Sequence, residues 1–416
     1  MSSETIFLYN AIAYTLTLAY MYRKYGISLG FIIWCAYTIS AWSTWLFVQQ
    51  PMYWSSMHFS SHTVFPCVYL FVLLVLSIMP LCKITKLNNV ELSRVVFLKY
   101  ILIASILVQL IFIVVDLPSV LHVFSSQGDL GALREQAYAQ DGEEGITQIT
   151  KNAILNRFYL FYSGIRPINT GLSVFLYFAC QQERKIIKLF FFTTLLENIW
   201  HISVLVGRGE MVITAFIYAS TLFLLRDSLS SKTKKLITVY ILPIAFFCVS
   251  AFWAITISRF GDLAEFYMYK YMGEAMNNFC GILYPDIQGY TCGQAYFSYI
   301  NRYLLGDITW TNTEERYAFI ENVTHIPAFI FYTYIGGLVI EFGKLIPIIL
   351  IIFFNRFLNR IVSIGTISIR HVVIYISLIY FFSYGLFTFP IQNFVGISMI
   401  FFLIIFYFFF KPSKNY

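Results

Sequence analysis

Arg166, Arg208 and Arg259 each lie at or just inside the end of a long apolar run. A charge within a membrane-spanning helix costs roughly 2.5–3.5 kcal/mol on insertion scales, so such residues call for a role. The planar fork of arginine suits bidentate contact with a phosphate. Arg166 follows Ser163-Gly164-Ile165 and precedes Pro167, which removes a backbone donor and is expected to kink the run. Glu197 and His201 stand four residues apart and share a face of any helix they occupy. A pair of that kind either handles a proton or is a satisfied buried pair. Arg208 sits within Gly207-Arg208-Gly209-Glu210, where two glycines permit a tight turn and close approach of a ligand to the backbone. The plainer reading there is a solvated hairpin. Arg259 precedes Asp262 by one helical turn.

Between two apolar runs the polar stretch Ser258 to Glu341 carries Arg259, Asp262, Glu265, Lys270, Glu274, Arg302, Arg316 and His325. Tyr267, Tyr269, Tyr271, Tyr284 and further tyrosines are interleaved with them. Tyrosine faces stack on sugar rings, and arginines and carboxylates bind hydroxyls or phosphates; an ordinary solvated loop with an aromatic core is the alternative. The chemistry these residues could support is group transfer from a phosphate or pyrophosphate leaving group. Fixed cations would stabilise the developing charge, and a base would take the acceptor's proton. His325, Glu197, Glu210 and Asp262 are the candidate bases. Arg166, Arg208, Arg259, His201 and Tyr267 are the candidate binding residues.

These residues must be positioned by membrane helices. The chain of 416 residues is 59% hydrophobic and only 12% charged, against about a quarter charged in soluble domains. A span needs roughly 20 mainly apolar residues, and backbone inside lipid must bond internally, so such runs are helices. The pattern predicts eleven spans near 5–22, 27–48, 64–82, 95–116, 157–181, 186–206, 210–226, 236–257, 338–358, 370–387 and 391–410. The segment 1–116 then holds four spans and 117–156 a first large loop, expected to carry an amphipathic helix near Leu130–Ala139. Spans five to eight fill 157–257, a second large loop 258–337 and the last three spans with the tail 338–416. Pro327 to Gly337 is expected to be re-entrant or interfacial, and Glu341 to pair with Lys344.

One set of alternate loops carries Arg23, Lys24, Lys83, Lys86, Arg94, Arg184, Lys185, Lys188, Arg226, Lys232, Lys234, Lys235, Arg356, Arg360, Arg370, Lys411 and Lys414. That is 17 of the 28 basic residues, accompanied by only Glu91, Glu183 and Asp227. Basic loops stay in the cytoplasm, which puts the C-terminus inside and the N-terminus outside. The net charge of +7 thus reports topology rather than nucleic-acid binding. Lys99 lies near the inner end of its span and can snorkel.

Five cysteines fall in or beside spans, while Cys280 and Cys292 both lie in the large outer loop, where an oxidising compartment permits a disulfide between them. The six histidines are scattered without metal-ligand spacing, so no metal and no cofactor are expected.

With Gly207-Arg208-Gly209 opening a span, Ser258-Arg259 starting the large loop and an aromatic stretch running into Gly336-Gly337, the chain resembles the bacterial O-antigen polymerases, the oligosaccharide repeat-unit polymerases. The resemblance is one of architecture and covers nearly the whole chain. It implies an all-α polytopic membrane protein with two large periplasmic loops and a fold like that of the C-type membrane glycosyltransferases. It implies residence in the bacterial inner membrane and the joining of units carried on undecaprenyl pyrophosphate, with lipid-linked oligosaccharides as donor and acceptor and a chain-length regulator as protein partner. The pyrophosphate-binding role carries over to Arg208 and Arg259, then to Arg166. An O-antigen ligase shares the donor and the fold. A transferase using a lipid monophosphate would show acids in its first outer loop, and Gln49 to Thr63 has none. A glycolipid flippase or solute transporter is expected to have helices broken near the membrane midplane.

Overall fold

The computed structural model describes residues 2–53, 63–87, 95–125, 153–180, 183–205, 208–237, 239, 256–257, 260–297, 310, 313–362, 367–392 and 394–410. They are helical, with no β-strand among them. Among the described residues three helices, Leu29–Val48, Val64–Lys83 and Val96–Pro118, are long and apolar enough to cross a membrane. Gly209–Leu224, Thr333–Phe342, Ile369–Tyr384 and Val395–Phe409 are shorter apolar helices. Long apolar helices of this kind belong to a membrane-embedded protein. The chain divides into two compact units, one made of 1–85, 240–364 and 381–392, the other of 86–239, 365–380 and 393–416.

In the first unit α1 (Ser3–Tyr25) and α2 (Leu29–Val48) form a helical hairpin. Gly26 ends α1 at φ 67°, where its missing Cβ matters, and the Ser28 hydroxyl caps α2 by accepting from the Phe31 N–H. Trp34 locks the pair by stacking on Tyr14 at 4.9 Å and donating its indole N–H to the Tyr14 carbonyl at 2.9 Å. Then come α3 (Val64–Ile78) and a 3-10 turn, Met79–Lys83. Part of the polar stretch is itself helical. Helix α10 (Ala264–Asn278) packs on the second half of α2, where Ser40 donates to the Met272 carbonyl at 2.7 Å and Thr44 to that of Gly273 at 2.9 Å. A Cβ on Gly273 would stand 2.5 Å from the Thr44 backbone nitrogen, so this approach requires glycine.

Helix α11 (Thr313–Thr324) follows, then α12 (Thr333–Phe342) and α13 (Ile346–Val362). The expected ninth span is therefore two helices, parted at Gly343 with φ 74°. The expected re-entrant segment Pro327 to Gly337 bends through Ile330 and then forms the first turns of α12. On α13 the side chains of Ile349, Phe353 and Phe357, each four residues apart, are exposed. An open apolar stripe at helical spacing is what a lipid-facing helix presents.

The second unit holds α4 (Val95–Ser125), α5 (Ala153–Ser163), α6 (Arg166–Ala179), α7 (Arg184–Leu205), α8 (Arg208–Leu224) and α9 (Ser231–Leu236). Most of α14 (Ile369–Tyr384) and all of α15 (Phe394–Phe409) complete it. Helix α4 packs closely on α7, and α6 packs on both α7 and α8. The Arg184 guanidinium closes the end of α6 by donating to the carbonyls of Tyr177 at 2.7 Å and Cys180 at 3.1 Å. Lys99 pairs with Glu183 at 3.3 Å with both side chains well exposed, a structural role. The expected amphipathic helix near 130–139 and nearly all of the eighth span lie outside the described residues.

Candidate functional site

The expected fifth span is two helices, α5 and α6, parted at Gly164 and Ile165. Gly164 and Ile165 turn back with N–H bonds to the carbonyls of Phe161 at 3.3 Å and Tyr162 at 2.9 Å, and α6 restarts at Arg166. Pro167 dictates the restart, since it has no N–H to continue the α5 ladder and fits the first turn of a new helix. Gly164 makes the turn possible in another way. A Cβ there would lie 2.1 Å from the Ser398 hydroxyl and 2.6 Å from the Met399 nitrogen of α15.

The break sets Arg166 at a helix start, 8% exposed, aimed at α7. Its Nε donates to Glu197 Oε1 at 2.6 Å, and its Nη1 lies 2.8 Å from His201 Nε2. Guanidinium nitrogens only donate, so His201 Nε2 accepts and the ring proton sits on Nδ1. That proton is donated to the Tyr159 oxygen at 2.7 Å. The guanidinium carbon stands 5.3 Å from the Tyr159 ring centre and 5.8 Å from that of Tyr162, within cation–π range. Asn198, one position beyond Glu197, donates to the Thr170 hydroxyl and the Tyr218 hydroxyl, each at 3.0 Å, while Thr170 donates to the Arg166 carbonyl at 2.9 Å. These bonds fix α6, α7 and α8 around the ion pair.

Two more carboxylates approach it. Asp116 of α4, 3% exposed, is within electrostatic reach of both Arg166 and Glu197. Glu210, at the start of α8 and half-buried, is within reach of Arg166. One guanidinium and a neutral imidazole thus face three carboxyl groups. Among the described residues Arg166 Nη2, Glu197 Oε2 and Asp116 Oδ1 are buried with no hydrogen-bond partner. The cluster has spare donor and acceptor capacity.

Of the residues expected from sequence, Arg166, Glu197, His201 and Glu210 are brought together here. Arg208 opens α8, two residues before Glu210; its side chain and the whole of Arg259 lie outside the described residues. Asp262, Tyr267 and His325 belong to the other compact unit. Asp262 is exposed in the turn before α10. Tyr267 is half-buried and stacks on Phe260 at 4.1 Å, with the Lys270 ammonium 6.0 Å from its ring. His325 is exposed at φ 59°, closing α11 with an N–H bond to the Glu321 carbonyl at 2.8 Å.

Asp116, Tyr159 and Asn198 were not expected from sequence. Asp116 had a legible signal, a carboxylate ending the apolar run that begins at Val95.

Two expectations are corrected. Cys280 and Cys292 are not joined to each other, because Cys280 is buried in the π-helical turn Phe279–Leu283 while Cys292 is exposed on a left-handed turn at φ 51°. Glu341 does not pair with Lys344. It is fully buried, accepting from the Thr291 hydroxyl at 2.6 Å, the Gly293 N–H at 2.5 Å and the Tyr296 N–H. Lys344 instead lies 4.6 Å from the ring centre of Tyr284. No protein family, curated protein or solved structure matches the chain.

Proposed function

We propose that the chain is a polytopic membrane glycosyltransferase of eleven spans, in a bacterial inner membrane with its N-terminus outside and C-terminus inside. It joins oligosaccharide units carried on a lipid pyrophosphate. The observation that carries this reading is the buried cluster around Arg166, set by the break between α5 and α6 and bordered by Glu210 at the start of α8, the helix that Arg208 opens. Arg166 is already neutralised by Glu197 at 2.6 Å, so the pyrophosphate-binding role that the resemblance implies passes to Arg208 and Arg259, while Arg166 orders α6, α7 and α8 around itself. Glu197 lies behind that ion pair. Glu210 is the more accessible carboxylate and serves as the base that takes the acceptor hydroxyl's proton, while the cations stabilise the departing pyrophosphate. No acid is needed on the leaving group, unlike the two-carboxylate scheme of glycoside hydrolysis. In the other compact unit Tyr267 of α10, stacked on Phe260 through one ring face, is the candidate sugar contact.

The test is the surface polysaccharide of a deletion strain carrying wild type, Arg208→Ala, Arg259→Ala or Glu210→Gln, with protein levels matched. Wild type restores a long ladder, and each variant leaves mostly single repeat units. Full ladders from both arginine variants would overturn the reading.

One observation favours a second reading. A helix interrupted at a buried arginine also suits a flippase or transporter for an anionic glycolipid. In that case the deletion strain shows no single units at its surface, because none reach the outer leaflet.

A further inference from the structure

Cys280 is fully buried in the π-helical turn Phe279–Leu283, and Cys67, in the first turn of α3, is 4% exposed. Their segments are joined by aromatic rings. Tyr69 stacks on Phe279 with planes 15° apart and centres 6.2 Å apart; Tyr284 meets Tyr69 at 4.9 Å and Phe65 at 5.7 Å. Phe65 and Tyr69 flank Cys67 in the chain, and Phe279 and Tyr284 lie either side of Cys280. The Cys280 thiol has the Cys67 thiol as its side-chain hydrogen-bond partner. Cys292 is turned away, its thiol 3.8 Å from the Tyr290 carbonyl.

We propose that Cys67 and Cys280 are joined by a disulfide in the protein as it resides in its membrane, a clasp tying the start of α3 to the end of α10. The proposal rests on the orientation drawn from the basic loops, which puts both cysteines on the oxidising side. The oxidant is the disulfide of an exported thiol–disulfide exchange protein. One cysteine thiolate attacks that disulfide to give a mixed disulfide, and the second cysteine thiolate then displaces the carrier. Two S–H bonds are lost and one S–S bond forms; two electrons pass to the carrier, which leaves as a dithiol. Exchange takes place during folding, before the rings close over the sulfurs. Cys280 thereby takes the partner that the fold provides rather than its near neighbour in sequence.

The test uses full-length protein denatured in SDS with a first alkylating reagent, then reduced and treated with an isotopically heavier one, and mapped by mass spectrometry. Cys67 and Cys280 are expected to carry the heavy label, and Cys35, Cys82, Cys180, Cys248 and Cys292 the light one. Cys67→Ser moves Cys280 to the light label, while Cys292→Ser changes nothing at Cys280. Light label on Cys67 and Cys280 in the wild type overturns the clasp, as does release of Cys280 by Cys292→Ser. A membrane-impermeant maleimide on intact spheroplasts separates the causes of failure. If it labels Cys292 while Cys67 and Cys280 are light, the clasp alone is wrong; if Cys292 reacts only after lysis, the orientation is wrong and the clasp falls with it.

Discussion

Glu197 and Glu341 are both carboxylates shut away from solvent, 3% and 0% exposed, and each is held in a different way. Glu197 is held by one cation, with Oε1 on Arg166 and Oε2 left without a partner. Glu341 is held by a loop folded over it, its oxygens accepting from the Thr291 hydroxyl and from the backbone N–H groups of Gly293, Tyr296 and Phe297. Cys292 and Gly293, at φ 51° and 86°, supply the concave backbone that points those N–H groups inward. An anion gripped by fixed amides has little reason to move. An anion held by a side chain, with a free oxygen and further carboxylates nearby, can exchange partners or protons. The difference separates a buried ion pair with spare hydrogen-bonding capacity at Arg166 from a fixture at Glu341 that shapes the polar stretch.

The largest expected effect comes from removing the cation. Arg166→Ala leaves Glu197 buried without its counter-charge and should destabilise the protein by about 3–5 kcal/mol, read as thermal unfolding of the detergent-solubilised protein. Replacing both partners with leucine should restore most of that stability, since a buried pair often does no better than apolar side chains. The double variant should still fail to restore a ladder. Recovery of both stability and ladder would make the pair purely structural.

Glutamine substitution sharpens the comparison. Glu341→Gln sets an amide N–H₂ against backbone donors, leaving at least one buried N–H unpaired. Such a group costs roughly 1–3 kcal/mol, so the loss should be about 2–3 kcal/mol. Glu197→Gln keeps an acceptor for Arg166 Nε and leaves Asp116 and Glu210 to offset the charge, for a loss of about 1–2 kcal/mol. The ranking of the two midpoints is the measurement, and the reverse order would refute the contrast.

Much of this was legible in the sequence, for identifiable reasons. The apolar runs announced the helices, and the four-residue spacing of Glu197 and His201 put both on Arg166. The helix breaks were not legible in the same way. Pro167 argued for a kink, but a full restart needs Gly164 pressed on Ser398, a contact far away in the chain. The neutralisation of Arg166 depends on which helices adjoin, and so do the approaches of Asp116 and Glu210. The pairing of Cys280 was misjudged because Phe279–Leu283 reads as polar loop, whereas it lies within the aromatic core.

A third buried carboxylate, Glu274 on α10, falls between the two and has the smallest expected effect. Asn278 donates to its Oε1 at 3.3 Å and Lys270 stands one turn away. Burial pushes its carboxyl above the usual value of 4.5, with Lys270 and Asn278 opposing the shift. The folded protein therefore binds this proton more tightly than the unfolded chain does. Its contribution to stability is fully present below the unfolded value and is lost as the pH rises through the folded one. Glu274→Gln keeps an acceptor for Asn278 and removes the titration. It should leave stability nearly unchanged at low pH, raise it by under about 1 kcal/mol at neutral pH, and flatten the pH dependence of the unfolding midpoint in the acid range. An unchanged slope would mean that Lys270 and Asn278 already hold the charge as firmly as water does.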